Sequence, residues 1–72
     1  MLRKKLGLRI ALLRKNQNLT QEALAESVEC SVEFISLVER GVNAPSVAGL
    51  QKFADALEVE VRDLFTFDGR KS

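Results

Sequence analysis

Apolar residues recur at helical spacing along most of the chain. Leu2, Leu6, Ile10 and Leu13 fall on one stripe and predict a first helix over residues 2–16. Asn18, which tolerates a left-handed backbone, ends it. Thr20 precedes Gln21 and Glu22 as an N-cap with an acid in the first turn. Leu24, Ala25 and Val28 keep the period, so a short second helix spans about 21–28. Ser31 is the next N-cap; Phe34, Ile35 and Val38 form the apolar face of a third helix, about 32–40, which Gly41 stops. After the loop Val42-Asn43-Ala44-Pro45, Ser46 caps a fourth helix that carries Val47, Leu50, Phe53, Ala54 and Leu57. Glu58-Val59-Glu60 breaks the pattern, and Val61, Leu64 and Phe65 predict a last short helix. The tail, Asp68 to Ser72, reads as frayed. No segment alternates with a strand period and none repeats. The expected fold is all-α: one five-helix domain over residues 1–72, with its core in about 6–65.

The second and third helices are joined by a turn of about three residues, which makes them a helix-turn-helix. Ala25, Ile35 and Val38 sit where two crossing helices must touch, and the small Ala25 permits the approach. These positions belong to the core whatever the protein binds.

Composition narrows the chemistry. With 72 residues, 46% apolar and 29% charged, the chain is globular, and its small core sets stability near roughly 3–5 kcal/mol. It has one cysteine and no histidine, so neither a disulfide framework within one chain nor a His/Cys zinc site is available. No apolar run is long enough to span a membrane, and the charged first residues do not read as a signal peptide. A cytoplasmic protein is expected. Without a histidine base, a glycine-rich phosphate loop or a paired nucleophile, an enzyme is not expected, nor is a cofactor or a small-molecule ligand.

The net charge of +1 conceals an uneven distribution. Residues 1–15 carry Arg3, Lys4, Lys5, Arg9, Arg14 and Lys15 and no acid. Residues 16–40 carry Glu22, Glu26, Glu29, Glu33 and Glu39 against Arg40 alone. The basic end fits either an anionic partner or the solvated face of an amphipathic helix.

Six motifs follow in order: Leu19-Thr20-Gln21-Glu22-Ala23-Leu24-Ala25-Glu26, Ser31 through Ser36, Val38-Glu39-Arg40-Gly41, Pro45-Ser46, Ala54-Asp55-Ala56-Leu57-Glu58-Val59, and Asp63-Leu64-Phe65. In this order and spacing they resemble the λ-repressor/Cro-like (XRE) helix-turn-helix family, and the match covers about residues 6–65. The resemblance implies a transcriptional regulator that binds double-stranded DNA as a homodimer. It implies phosphate contacts from Thr20, Gln21, Ser31, Phe34, Arg40 and Asn43. It implies base readout by Val32, Glu33, Ser36 and Leu37 on a third helix inserted in the major groove. Phe34 reads equally as a partly buried hydrophobe, and Glu33 equally as an acid favouring the helix dipole. Arg14 and Glu39 match a structural ion pair between the first and third helices. The dimer patch is expected at Val61, Leu64, Phe65 and Phe67, or alternatively at Leu8 and Leu12 on the outer side of the first helix.

The chain departs from the family at three places. Glu29 and Glu58 stand where glycine is frequent, at the ends of the second and fourth helices. The third helix offers no base before Arg40, and the loop after it has none, so Arg9, Arg14 and Lys15 are the expected compensating charges. Cys30, before the Ser31 cap, fits a redox switch or a small semi-buried residue. The poorly basic recognition face keeps open a second function, a protein-interaction module of antitoxin or adaptor type on the same scaffold.

Overall fold

A computed structural model describes residues 1–67; the 68–72 tail lies outside the described residues. The elements run α1 (Leu2–Asn16), α2 (Gln21–Ser27), α3 (Val32–Glu39), α4 (Val47–Leu57) and a terminal 3-10 helix (Val61–Phe65), with no strand among the described residues. The fifth element is thus a tighter 3-10 turn and not an α-helix. Its five residues begin with a reciprocal cap, in which the Glu60 backbone N–H donates to Asp63 Oδ2 at 2.9 Å.

Three helices start alike. Thr20, Ser31 and Ser46 are extended, and each side-chain oxygen accepts from the backbone N–H three residues on, at 3.0 Å from Ala23, Phe34 and Gly49. Four helices also end alike. Each exits through one left-handed residue: Asn18, Glu29, Gly41 and Glu58. The next N–H then reaches back five residues, as in Leu19 to the Arg14 carbonyl and Val59 to the Ala54 carbonyl.

Glu29 and Glu58 therefore hold a conformation that favours glycine, each at φ 60°. Glu29 has only an exposed Lys52 partner at 3.4 Å to offset this. Glu29→Gly and Glu58→Gly are each expected to raise unfolding stability by about 0.5–1 kcal/mol in chemical denaturation, because relief of strain exceeds the added chain entropy. A fall for both would mean that these turns are not left-handed in solution.

The core gathers Leu6, Ile10 and Leu13 of α1, Leu24 and Ala25 of α2, Ile35 and Val38 of α3, Phe53, Ala54 and Leu57 of α4, with Val28 and Leu64. Fully burying a side chain the size of Leu or Phe contributes about 1.5–3 kcal/mol, so this short list carries most of the stability. Three residues counted in the apolar pattern are exposed: Leu2, Val47 and Phe65. Leu2 and Val47 are each the first residue of their helix and project beyond the packed layer. The third helix packs on both α1 and α2. Gly7 makes the α1 crossing possible, since it faces the Val38 and Glu39 carbonyls directly. Among the described residues no helix is long and apolar enough to cross a membrane.

Candidate nucleic-acid interface

Burial of Ile35 and Val38 fixes how α3 faces the rest of the protein. Val32, Glu33 and Arg40 are left exposed, and Ser36 and Leu37 are half-buried. From Val32 through Glu39 the helix presents no cation. Arg40 and the loop beyond Gly41 complete this face, with Val42 exposed and Asn43 half-buried. The N–H groups of Val42 and Asn43 both donate to the Leu37 carbonyl, at 2.9 and 3.3 Å, which folds the loop back over the end of α3.

A side-chain network ties this face to α2. Arg14 Nε donates to Glu39 Oε2 at 2.6 Å and Nη2 donates to Oε1 at 3.1 Å. The fork is shielded, with the two side chains 11% and 8% exposed. Arg14 Nη1 also donates to the Leu19 carbonyl at 2.8 Å, and Gln21 Nε2 donates to Glu39 Oε1 at 2.9 Å. Gln21 is therefore held beside the last turn of α3 with one amide N–H still unused. The backbone N–H groups of Gln21 and Glu22 precede the capped Ala23 N–H and have no intrahelical acceptor. Thr20 accepts from Ala23, and its hydroxyl proton stays available to an anion. Ser31 caps α3 in the same way.

The remaining sequence expectations divide. Phe34 is half-buried and packs against the core. Cys30 is exposed on the α2–α3 turn, its Sγ 3.5 Å from the Val28 carbonyl. Two of the three compensating charges are committed inside the protein: Arg14 to Glu39, and Arg9, whose Nε donates to the Asp63 carbonyl at 2.8 Å. Only Lys15 of that set is exposed without an ion pair among the described residues. In their place Arg3, left by the sequence pattern on a solvated face, reaches the loop: its Nη1 donates to the Val42 carbonyl at 3.0 Å. The sequence did hold one signal. Arg3, Lys4 and Lys5 crowd the first turn of a helix that has no acid there.

The expected dimer patch also needs correction. Leu64 is completely buried and is not free to meet a partner, and Val61 and Phe67 are half-buried and pack against the core. Phe65 is exposed, and its ring meets Phe67 edge-to-face at 6.0 Å. Lys5 stands over the Phe67 ring at 6.0 Å. Leu8 and Leu12, 69% and 49% exposed, lie one turn along α1 from Lys5 and Arg9. Lys5, over Phe67, and Arg9, bonded to the Asp63 carbonyl, are the α1 residues that meet the terminal segment.

Comparison with known proteins points one way. The helix-turn-helix family model HTH_3 matches residues 10–64. An uncharacterized HTH-type transcriptional regulator of Bacillus subtilis, YazB, is 38% identical over 58 residues, covering 81% of this chain and 84% of YazB. The crystal structure of the restriction-modification controller protein C.AhdI from Aeromonas hydrophila superposes with a TM-score of 0.83 at 37% identity, covering 86% of this chain and 94% of that one. The biofilm master regulator SinR, solved in complex with DNA, gives 0.78 at 31% identity over 83% of this chain and 97% of that one.

Proposed function

The chain belongs to the helix-turn-helix family HTH_3, and from that premise we propose a DNA-binding transcriptional regulator that reads a two-fold symmetric operator as a homodimer. The observation that carries the reading is the pairing of α2 and α3. The inner residues of α3 are locked into the core, its outer face has no protein partner among the described residues, and the Arg14–Glu39–Gln21 network holds the start of α2 alongside. In this reading α3 enters the major groove. Thr20, Gln21, Ser31, Phe34, Arg40 and Asn43 meet the sugar-phosphate backbone, and Val32, Glu33, Ser36 and Leu37 face the bases.

The base-facing set has a definite chemistry. It holds no Arg, Lys, Asn or Gln, so it makes no bidentate contact to guanine or adenine. Val32 and Leu37 suit thymine methyl groups, and the Glu33 carboxylate suits the cytosine N4 amino group. In the homodimer, Phe65 and Phe67 supply the apolar contact, with exposed Leu8 and Leu12 as the alternative patch. Two copies would place their half-sites about 34 Å apart, one turn of the duplex.

Selection from a random duplex library at about 50 and 150 mM salt tests both statements. A symmetric motif at the higher salt is expected, with cytosine at the position that Glu33 meets. Glu33→Gln is expected to move that preference toward adenine by about 1–3 kcal/mol, as an amide pairs with adenine N6 and N7. A folded protein that enriches no motif at either salt would favour the protein-interaction module, whose groove-binding surface would be the same Val32, Glu33 and Leu37 face.

A further inference from the structure

The charge needed to hold a duplex is scarce on α3 itself, which presents Glu33 and no cation before Arg40. The cations next to it come from the other end of the chain. We infer that Arg3, with Lys4 beside it, forms a phosphate clamp at the exit of the recognition helix; this rests on the DNA-binding reading above and adds to it a contact from the start of α1. Arg3 is exposed, and one of its N–H groups is fixed on the Val42 carbonyl, so the guanidinium is oriented at the loop with four N–H groups unused. Lys4 packs against Gly41, whose Cβ would fall 2.7 Å from Lys4 Cγ, so α1 and the start of the loop are in direct contact. Arg40 is exposed one residue before Gly41. Three positive side chains therefore border one short stretch of backbone, Arg40 to Val42. Among the described residues none of them forms an ion pair.

Nothing within α1 accounts for this crowding. Arg3, Lys4 and Lys5 oppose the helix dipole, and the residues four places on, Gly7, Leu8 and Arg9, offer no acid. A duplex phosphate is the anion that this arrangement suits. The phosphates flanking the groove that α3 occupies lie where α3 emerges, and a guanidinium held by a carbonyl needs little further ordering to bind one.

The test is the salt dependence of binding, read by fluorescence anisotropy on a labelled duplex carrying the selected site and on a scrambled duplex of equal length. Arg3→Gln is expected to weaken both duplexes by the same factor and to reduce the slope of log K against log salt by about 0.9, one phosphate contact. The melting temperature and the ratio between duplexes should not change. Arg3→Lys should restore most of the slope, while Arg62→Gln, on the terminal 3-10 helix, should leave it untouched. An unchanged slope for Arg3→Gln, with wild-type binding intact, would overturn the clamp and leave the DNA-binding reading standing. A wild-type protein that binds neither duplex would overturn both.

Discussion

Gly7→Ala is expected to remove most of the protein's stability, although alanine is the better helix former by about 1 kcal/mol. The reason is the crossing of α1 over α3. A Cβ at position 7 would land on the Val38 carbonyl oxygen and 2.8 Å from the Glu39 carbonyl oxygen. Both are backbone atoms in the last turn of a hydrogen-bonded helix and cannot swing aside as a side chain would. The two helices must separate instead, which opens the core around Leu6 and Ile10. Such overpacking costs about 3 kcal/mol or more, comparable with the whole stability of a domain this small. A thermal melt followed by circular dichroism should drop by more than about 12 °C. A raised melting temperature would mean that α1 and α3 do not meet at Gly7. Because Glu39 and Arg40 sit at that crossing, the same variant should also weaken DNA binding.

The contrast between Gly7 and the capping serines explains what the sequence could and could not disclose. Thr20, Ser31 and Ser46 declare their helices because a cap is a local event, completed by an N–H three residues away. Ile35 and Val38 are legible for a similar reason, since one helical period places them together. Gly7 looks like a weak point in an amphipathic helix until α3 is laid across it. Arg9 looks solvated until Asp63, 54 residues on, brings its carbonyl within 2.8 Å. Leu64 and Phe65 are adjacent apolar residues with opposite fates, one buried and one exposed, because a 3-10 turn carries successive side chains a third of a circle apart. The left-handed exits are intermediate. Asn18 and Gly41 can be read from residue type, whereas Glu29 and Glu58 are signalled only by the family resemblance, which has glycine there, and are held open by bonds such as that from Val59 N–H to the Ala54 carbonyl. Arg14 and Glu39 follow from family resemblance; the third member of their network, Gln21, does not.

That network sets the second large effect. Glu39→Ala is expected to destabilise the protein by about 3–5 kcal/mol, because it leaves the Arg14 guanidinium shielded without its carboxylate. It also frees Gln21, whose amide then has no protein acceptor holding it against α3. Arg14→Ala should cost a comparable amount, because it strands the Glu39 carboxylate, itself 8% exposed, with Gln21 alone. The network joins α1, the α1–α2 connection, α2 and α3 through four hydrogen bonds, so the loss is cooperative. A double replacement, Arg14→Met with Glu39→Leu, separates burial of an unpaired charge from the worth of the pair. It should recover most of the melting temperature, since two apolar side chains of similar volume remove both desolvation penalties. It should not recover DNA affinity, because Gln21 remains unheld. Full recovery of affinity along with stability would mean that the network serves packing alone and that the start of α2 is positioned by its backbone. Unchanged melting for both single variants would mean that the fork is solvated in solution.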